Sequence, residues 1–181
     1  MPRRLTALLA ITAAAAFTAA CGSPGAHSQP TAHPASPRGA ADQAAHIPNQ
    51  LQFTTKTLDG QTFSGATLAG KPAVLWFWTP WCPKCQQEAP VVGKTAAANP
   101  RVTFVGVAAY DHVSGMQAFV DKYQLGGLTQ LADSDGAVWS RFGITQQPAW
   151  AFVGANGDID VVKGSLTQPE LTARVNGLAE R

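Results

Sequence analysis

The sequence predicts an α/β domain: a central mixed sheet flanked by helices, with an N-terminal β-hairpin extension. Three observations carry this. "KPAVLWFW" (71–78) and "RVTFVGVAA" (101–109) are continuous apolar runs, the pattern of strands buried on both faces. A segment with helical spacing follows each of them. The last part of the chain holds a hairpin signal, Asn156-Gly157, and then a closing helix. Strands that alternate with helices and end in a hairpin give a sheet with both parallel and antiparallel pairs.

Taken in order, the first 20 residues read as an export signal, not as fold. "MPRR" is a short positive segment, and "LTALLAITAAAAFTAA" is an apolar stretch too short for a permanent membrane span. Small residues then precede Cys21, and "TAAC" resembles a bacterial lipobox, with Thr18 where Leu is usual. That resemblance implies a lipidated Cys21 as the mature N-terminus; the alternative is ordinary cleavage nearby and a secreted chain. Lipidation also accounts for the odd cysteine among three and leaves a single pair in a compartment where disulfides persist. Residues 21–50, rich in Pro, Ala, Ser and Gly, cannot offset their own ordering entropy and read as a flexible tether. His27, His33 and His46 lie there and read as solvated.

The domain is expected over 51–181. "LQFTTKTLDGQTFSG" alternates around Asp59-Gly60, a hairpin signal. "CPKCQQEAPVVGKTAAANP" reads as a helix with Pro83 in its first turn, where a missing N–H is harmless, and with Pro90 expected to bend it. "SGMQAFVDKYQL" has helical spacing, "DSDGAVWSRFGI" reads as a short helix, and "PAWAFVGANGDIDVVKG" as two strands. "TQPELTARVNGLAE" closes the chain as a helix, with Thr167 as N-cap and Glu170 three residues on. The predicted order is hairpin, β, α, β, α, α, β, β, α. The 181 residues suffice for one ordinary domain, and 45% apolar content permits a core. Net charge is +2, and both excess charges are Arg3 and Arg4, so no basic footprint for nucleic acid is present.

Cys82 and Cys85 stand between a buried strand and a helix. The helix N-terminus favours negative charge, so Cys82 is expected to be the thiolate nucleophile and the more exposed thiol. Cys85, one turn in, is the more buried resolving thiol, near enough to close a small disulfide. Pro83 stiffens the turn, and Lys84 adds a positive charge that favours the thiolate. Structural zinc wants four ligands, and neither a second cysteine pair nor a set of domain histidines exists, since His112 is the only one there. As a mere staple, a bridge across two residues restricts the unfolded chain little.

"FWTPWCPKCQQEAP" and "ITQQPAWAFVG" resemble the thioredoxin superfamily. Within it they are similar to the extracytoplasmic thiol-disulfide oxidoreductases of the TlpA/ResA/DsbE group, above all to DsbE/DsbF-type disulfide-forming proteins. The resemblance covers about residues 51–181 and implies a thioredoxin fold. It makes Cys82 and Cys85 the redox-active disulfide and Pro148 a cis-proline facing it. Gln147 is then the backbone that docks an extended substrate, with Trp81, Pro83 and Lys84 also touching substrate. Glu88 becomes the acid/base for the resolving thiol. Trp76 stands where cytoplasmic thioredoxins carry a buried aspartate. Trp139 and Trp150 read as packing residues. The implied function is oxidation of substrate thiols outside the cytoplasm, on the outer face of the cell membrane, without a cofactor or metal. The implied partners are cysteine-containing exported proteins and a membrane redox protein that recycles the pair. The alternatives are a disulfide reductase of the cytochrome-maturation kind and a copper-delivery relative, which usually spaces its cysteines one residue wider and adds a histidine.

Overall fold

A computed structural model describes residues 47–180. The chain divides into two units, Met1–Arg38 and Gly39–Arg181, and the described residues belong to the second. The expected signal segment, Cys21 with its expected lipidation, and the expected tether up to His46 lie outside the described residues.

The sheet comprises β1 (Thr54–Thr57), β2 (Thr62–Ser64), β3 (Ala73–Trp78), β4 (Thr103–Ala109), β5 (Thr129–Asp133), β6 (Ala149–Val153) and β7 (Ile159–Lys163). The helices are α1 (Pro83–Ala98), α2 (Val113–Lys122), α3 (Ala137–Arg141) and α4 (Gln168–Ala179). Strand order is β2-β1-β5-β4-β3-β6-β7, with β3, β4 and β5 parallel and the other pairs antiparallel. The mixed sheet, the flanking helices and the N-terminal hairpin are those the sequence predicts. At the hairpin, Thr57 N–H donates to the Gln61 carbonyl at 3.0 Å, and Gly60 takes φ +83°. That left-handed position is one glycine adopts without a Cβ penalty.

One strand was not anticipated. β5, "TQLAD", is short and poor in β-branched residues, so its own propensity is weak. Its neighbours supply the pairing: β4 on one side, parallel, and β1 on the other, antiparallel. Without β5 the hairpin has no edge to join. The folded part also starts upstream of Leu51, because Asn49–Leu51 form a 3-10 turn and Ile47 packs on the core.

β3 is buried along its whole length, as its unbroken apolar run requires. Alternation splits it between two cores. Val74, Trp76 and Trp78 face α1, α2 and α4. Ala73, Leu75 and Phe77 face α3 and the N-terminal segment with Leu51 and Phe53. α1 runs through Pro90 as one helix.

Candidate active site

Parallel β3 and β4 end at the same edge of the sheet, and the chain leaves β3 through Thr79 and Pro80 to reach α1. Cys82 is the N-cap of α1, in extended conformation (φ −78°, ψ 114°), with Pro83 in the first turn. Its Sγ accepts the Cys85 backbone N–H at 3.1 Å. A sulfur thus does the work usually given to a serine or aspartate oxygen, satisfying one of the orphan amides of the helix start. The two sulfurs are not joined in a disulfide. The sequence led us to expect Cys82 to be the more exposed thiol; it is 4% exposed against 0% for Cys85, and both join the helix-side core. The order of accessibility is as expected, but the margin is small because Cys82 Sγ turns in to cap the helix.

Burial pushes the Cys85 thiol well above the ordinary thiol range, reinforced by its hydrogen bond with Cys82 and by the charges of Cys82 and Glu88. A hydrogen bond with the Thr79 backbone opposes this. Cys85 is therefore a protonated, shielded thiol at neutral pH, and it needs a group to take its proton before it can attack.

Glu88 lies one turn after Cys85 and is buried, 8% exposed. It is no solvated helix carboxylate. Leu166 N–H, from the loop between β7 and α4, donates to Oε1 at 3.0 Å, and the Trp76 indole donates to Oε2 at 3.2 Å. Burial pushes the Glu88 carboxyl up from its ordinary value; the Leu166 amide, the Trp76 indole, a Ser165 hydrogen bond and the Lys84 charge pull it back. A carboxyl raised by burial in this way holds a proton more readily than an exposed one, as an acid/base group must.

The Gln147–Pro148 bond is cis. Ala149 pairs with Phe77, so Pro148 lies beside the C-terminal end of β3, next to the turn that carries Cys82. Pro148 is buried and Gln147 half-buried. Pro83 and Lys84 are exposed. Trp81 is 54% exposed, and its indole donates to the Tyr110 carbonyl at 3.3 Å. Cys82, Cys85, Glu88, Trp81, Pro83 and Lys84 come together along one strand-helix connection, and Pro148 joins them across the sheet. Trp139 and Trp150 are buried, as packing residues should be.

Sequence reasoning missed three contributors. Trp76 was read only as a missing acid, yet it grips Glu88. Leu166 and Tyr110 act through backbone atoms, which any residue could offer. Tyr110 has φ +55°, unusual outside glycine, and this was the one local signal the sequence hid.

The family model described as the AhpC/TSA family matches residues 46–162. The "Soluble secreted antigen MPT53" of Mycobacterium bovis is 50% identical over 139 residues, covering 75% of this chain and 80% of that protein. The "Thiol-disulfide oxidoreductase ResA" of Oceanobacillus iheyensis is 29% identical over 133 residues, covering 72% and 69%. Among solved structures, MTB DsbF, in mixed oxidised and reduced forms, superposes with a TM-score of 0.72 at 63% identity, covering 73% of this chain and 98% of that one. A secreted Mycobacterium tuberculosis disulfide oxidoreductase homologous to E. coli DsbE gives 0.68 at 52% identity, covering 71% and 98%. With a thiol pair at a helix N-terminus, a cis-proline beside it and these relatives, the chain belongs to the AhpC/TSA family as a thioredoxin-fold thiol-disulfide oxidoreductase.

Proposed function

We propose that the protein oxidises pairs of thiols in exported proteins outside the cytoplasm, using Cys82 and Cys85 as its redox pair. A substrate thiolate attacks Cys82 Sγ of the Cys82–Cys85 disulfide. The S–S bond breaks, Cys85 leaves with its electron pair and takes a proton from Glu88, and a mixed disulfide with Cys82 forms. A second substrate thiolate then attacks the substrate sulfur and expels Cys82. Two electrons pass from the substrate to the pair, and the substrate gains a disulfide. The backbone at Gln147–Pro148 docks the extended substrate, and Trp81, Pro83 and Lys84 border it. A membrane redox partner re-oxidises the pair. No organic cofactor or metal is needed.

The observation that carries this reading is the cap at Cys82. Its sulfur accepts a helix amide at the start of α1, where a helix N-terminus favours negative charge, and a thiolate exists only in the reduced form. Favouring the reduced form makes the disulfide the better oxidant. The test is the reduction potential of the purified protein, with its rates of oxidising a reduced, unfolded protein and of reducing insulin. We expect oxidation to be the faster. A potential near that of thioredoxin, about −270 mV, with rapid insulin reduction would overturn the oxidising direction.

For the location, the "TAAC" segment supports a lipid anchor at Cys21 on the outer face of the membrane. A second reading, a freely secreted protein, is favoured by the relative named as a soluble secreted antigen.

A further inference from the structure

Trp76 is nearly without conformational freedom. It is 1% exposed and stacked between Trp78, at 5.7 Å and 25°, and Trp150, at 6.0 Å and 30°. Its indole N–H is aimed from β3 at one carboxylate oxygen of Glu88, while the Leu166 amide holds the other from the far side. Two rigid donors on different elements therefore fix a side chain that belongs to a third, α1. Among the described residues the indole N–H of Trp150, in the same stack, is buried with no hydrogen-bond partner, so the stack itself does not demand that an indole be satisfied.

We propose that Trp76 is a positioning residue for thiol–disulfide exchange: its indole N–H, with the Leu166 amide, holds the Glu88 carboxylate ready to take the Cys85 proton and to return it. This rests on Glu88 acting as the acid/base for Cys85. The titratable and charged groups that act on Glu88 are Lys84 and Cys85, both on its own helix. Among the described residues β3 brings the Trp76 indole, and the β7–α4 loop brings Leu166 N–H and Ser165. The one feature of β3 that tunes Glu88 is thus a neutral donor, which tryptophan supplies and phenylalanine lacks.

The test uses the reduced chain carrying Cys21→Ser, so that Cys82 and Cys85 are the thiols present, and dithiobis(nitrobenzoate). In a first phase Cys82 attacks the reagent, releases one thionitrobenzoate and keeps the other as a mixed disulfide. In a second phase Cys85 passes its proton to Glu88 and attacks Cys82 Sγ, forming the Cys82–Cys85 disulfide and expelling the second thionitrobenzoate. The second phase is followed against pH for the wild type, Trp76→Phe, Glu88→Gln and the double variant. Losing a hydrogen bond to a charged group should move the pH midpoint of the second phase in Trp76→Phe upward by about one unit. The first phase should keep its pH profile, and Trp76→Phe should add nothing once Glu88 is Gln. An unshifted second phase in Trp76→Phe, beside an altered one in Glu88→Gln, would overturn the role of Trp76 and leave that of Glu88. An unaltered second phase in Glu88→Gln would overturn both. A purely structural tryptophan would lower stability and slow the second phase equally in the Glu88→Gln background. Should Trp76→Phe not fold, the wild type still decides the matter. With nitrogen-labelled tryptophan, one indole N–H signal should follow a pH step that disappears in Glu88→Gln; if no signal does, the proposal fails.

Discussion

The two cysteines differ in one respect that governs their chemistry. Cys82 Sγ accepts a hydrogen bond from a helix amide, while the Cys85 thiol is enclosed and pushed far up by burial. Iodoacetamide at neutral pH should therefore label Cys82 of the reduced protein and spare Cys85, as peptide mass spectrometry would read; preferential labelling of Cys85 would reverse the assignment. Following the same logic, Cys85→Ser should accumulate mixed disulfides with client proteins and Cys82→Ser almost none, scored on non-reducing gels. Lys84 is exposed, so water screens its charge. Lys84→Glu should shift the potential toward more reducing values by no more than about 30 mV, the equivalent of one pKa unit in a two-electron couple. The cysteine pair could be picked out from residue types and spacing, and Glu88 and Pro148 from the family resemblance. The hold on Glu88 could not, because an indole on β3 and an amide 78 residues downstream of Glu88 meet it only after folding.

At the scale of elements, β3, β4 and β5 set the active-site edge, and their packing tolerates little change. Gln130 on β5 is buried, and its Oε1 accepts the Trp78 indole N–H at 3.3 Å across β4. The side chains can meet because Gly106 lies between them; a Cβ there would overlap Gln130 Oε1 and crowd the Trp78 indole. Gly106→Ala should cost about 1–3 kcal/mol, read as a lower denaturant midpoint, because Gln130 has no room to retreat without orphaning the indole. α4 offers a milder case. Thr167 caps Glu170 N–H, and the Glu170 carboxylate returns to Thr167 N–H at 2.8 Å, the capping box expected from "TQPE". Thr167→Ala should lower stability by about 1 kcal/mol in the same measurement. A capping box is local in sequence and could be anticipated. The Gly106 gap is not local: it depends on strand register, and β5 itself was not visible in its residues.

For the whole molecule, anchorage and the direction of electron flow each have a direct measurement. Mass spectrometry of the mature N-terminus is expected to find an acylated Cys21; an unmodified start downstream of it would establish the secreted form. The direction test belongs at this scale too, since the potential reflects helix dipole, burial and Glu88 together rather than any single side chain. In the proposed exchange Glu88 serves either direction, giving a proton to Cys85 when it leaves and taking one when it attacks.

The sequence by itself determined the two buried strands, the helix that begins at the cysteines, both hairpins and the closing helix. In each of these the information lies within a few neighbouring residues: an apolar run, a glycine turn, a cap. It singled out Cys82 and Cys85 as the candidate redox pair for the same reason. Only the tertiary structure decided that Thr129–Asp133 is a strand, since two neighbours supply its hydrogen bonds. It alone decided that Cys82 turns inward, that Glu88 is buried, and that Trp76 and Leu166 hold it. Those outcomes depend on which surfaces face one another across the sheet and on the loss of water between them, and no short stretch of chain encodes either.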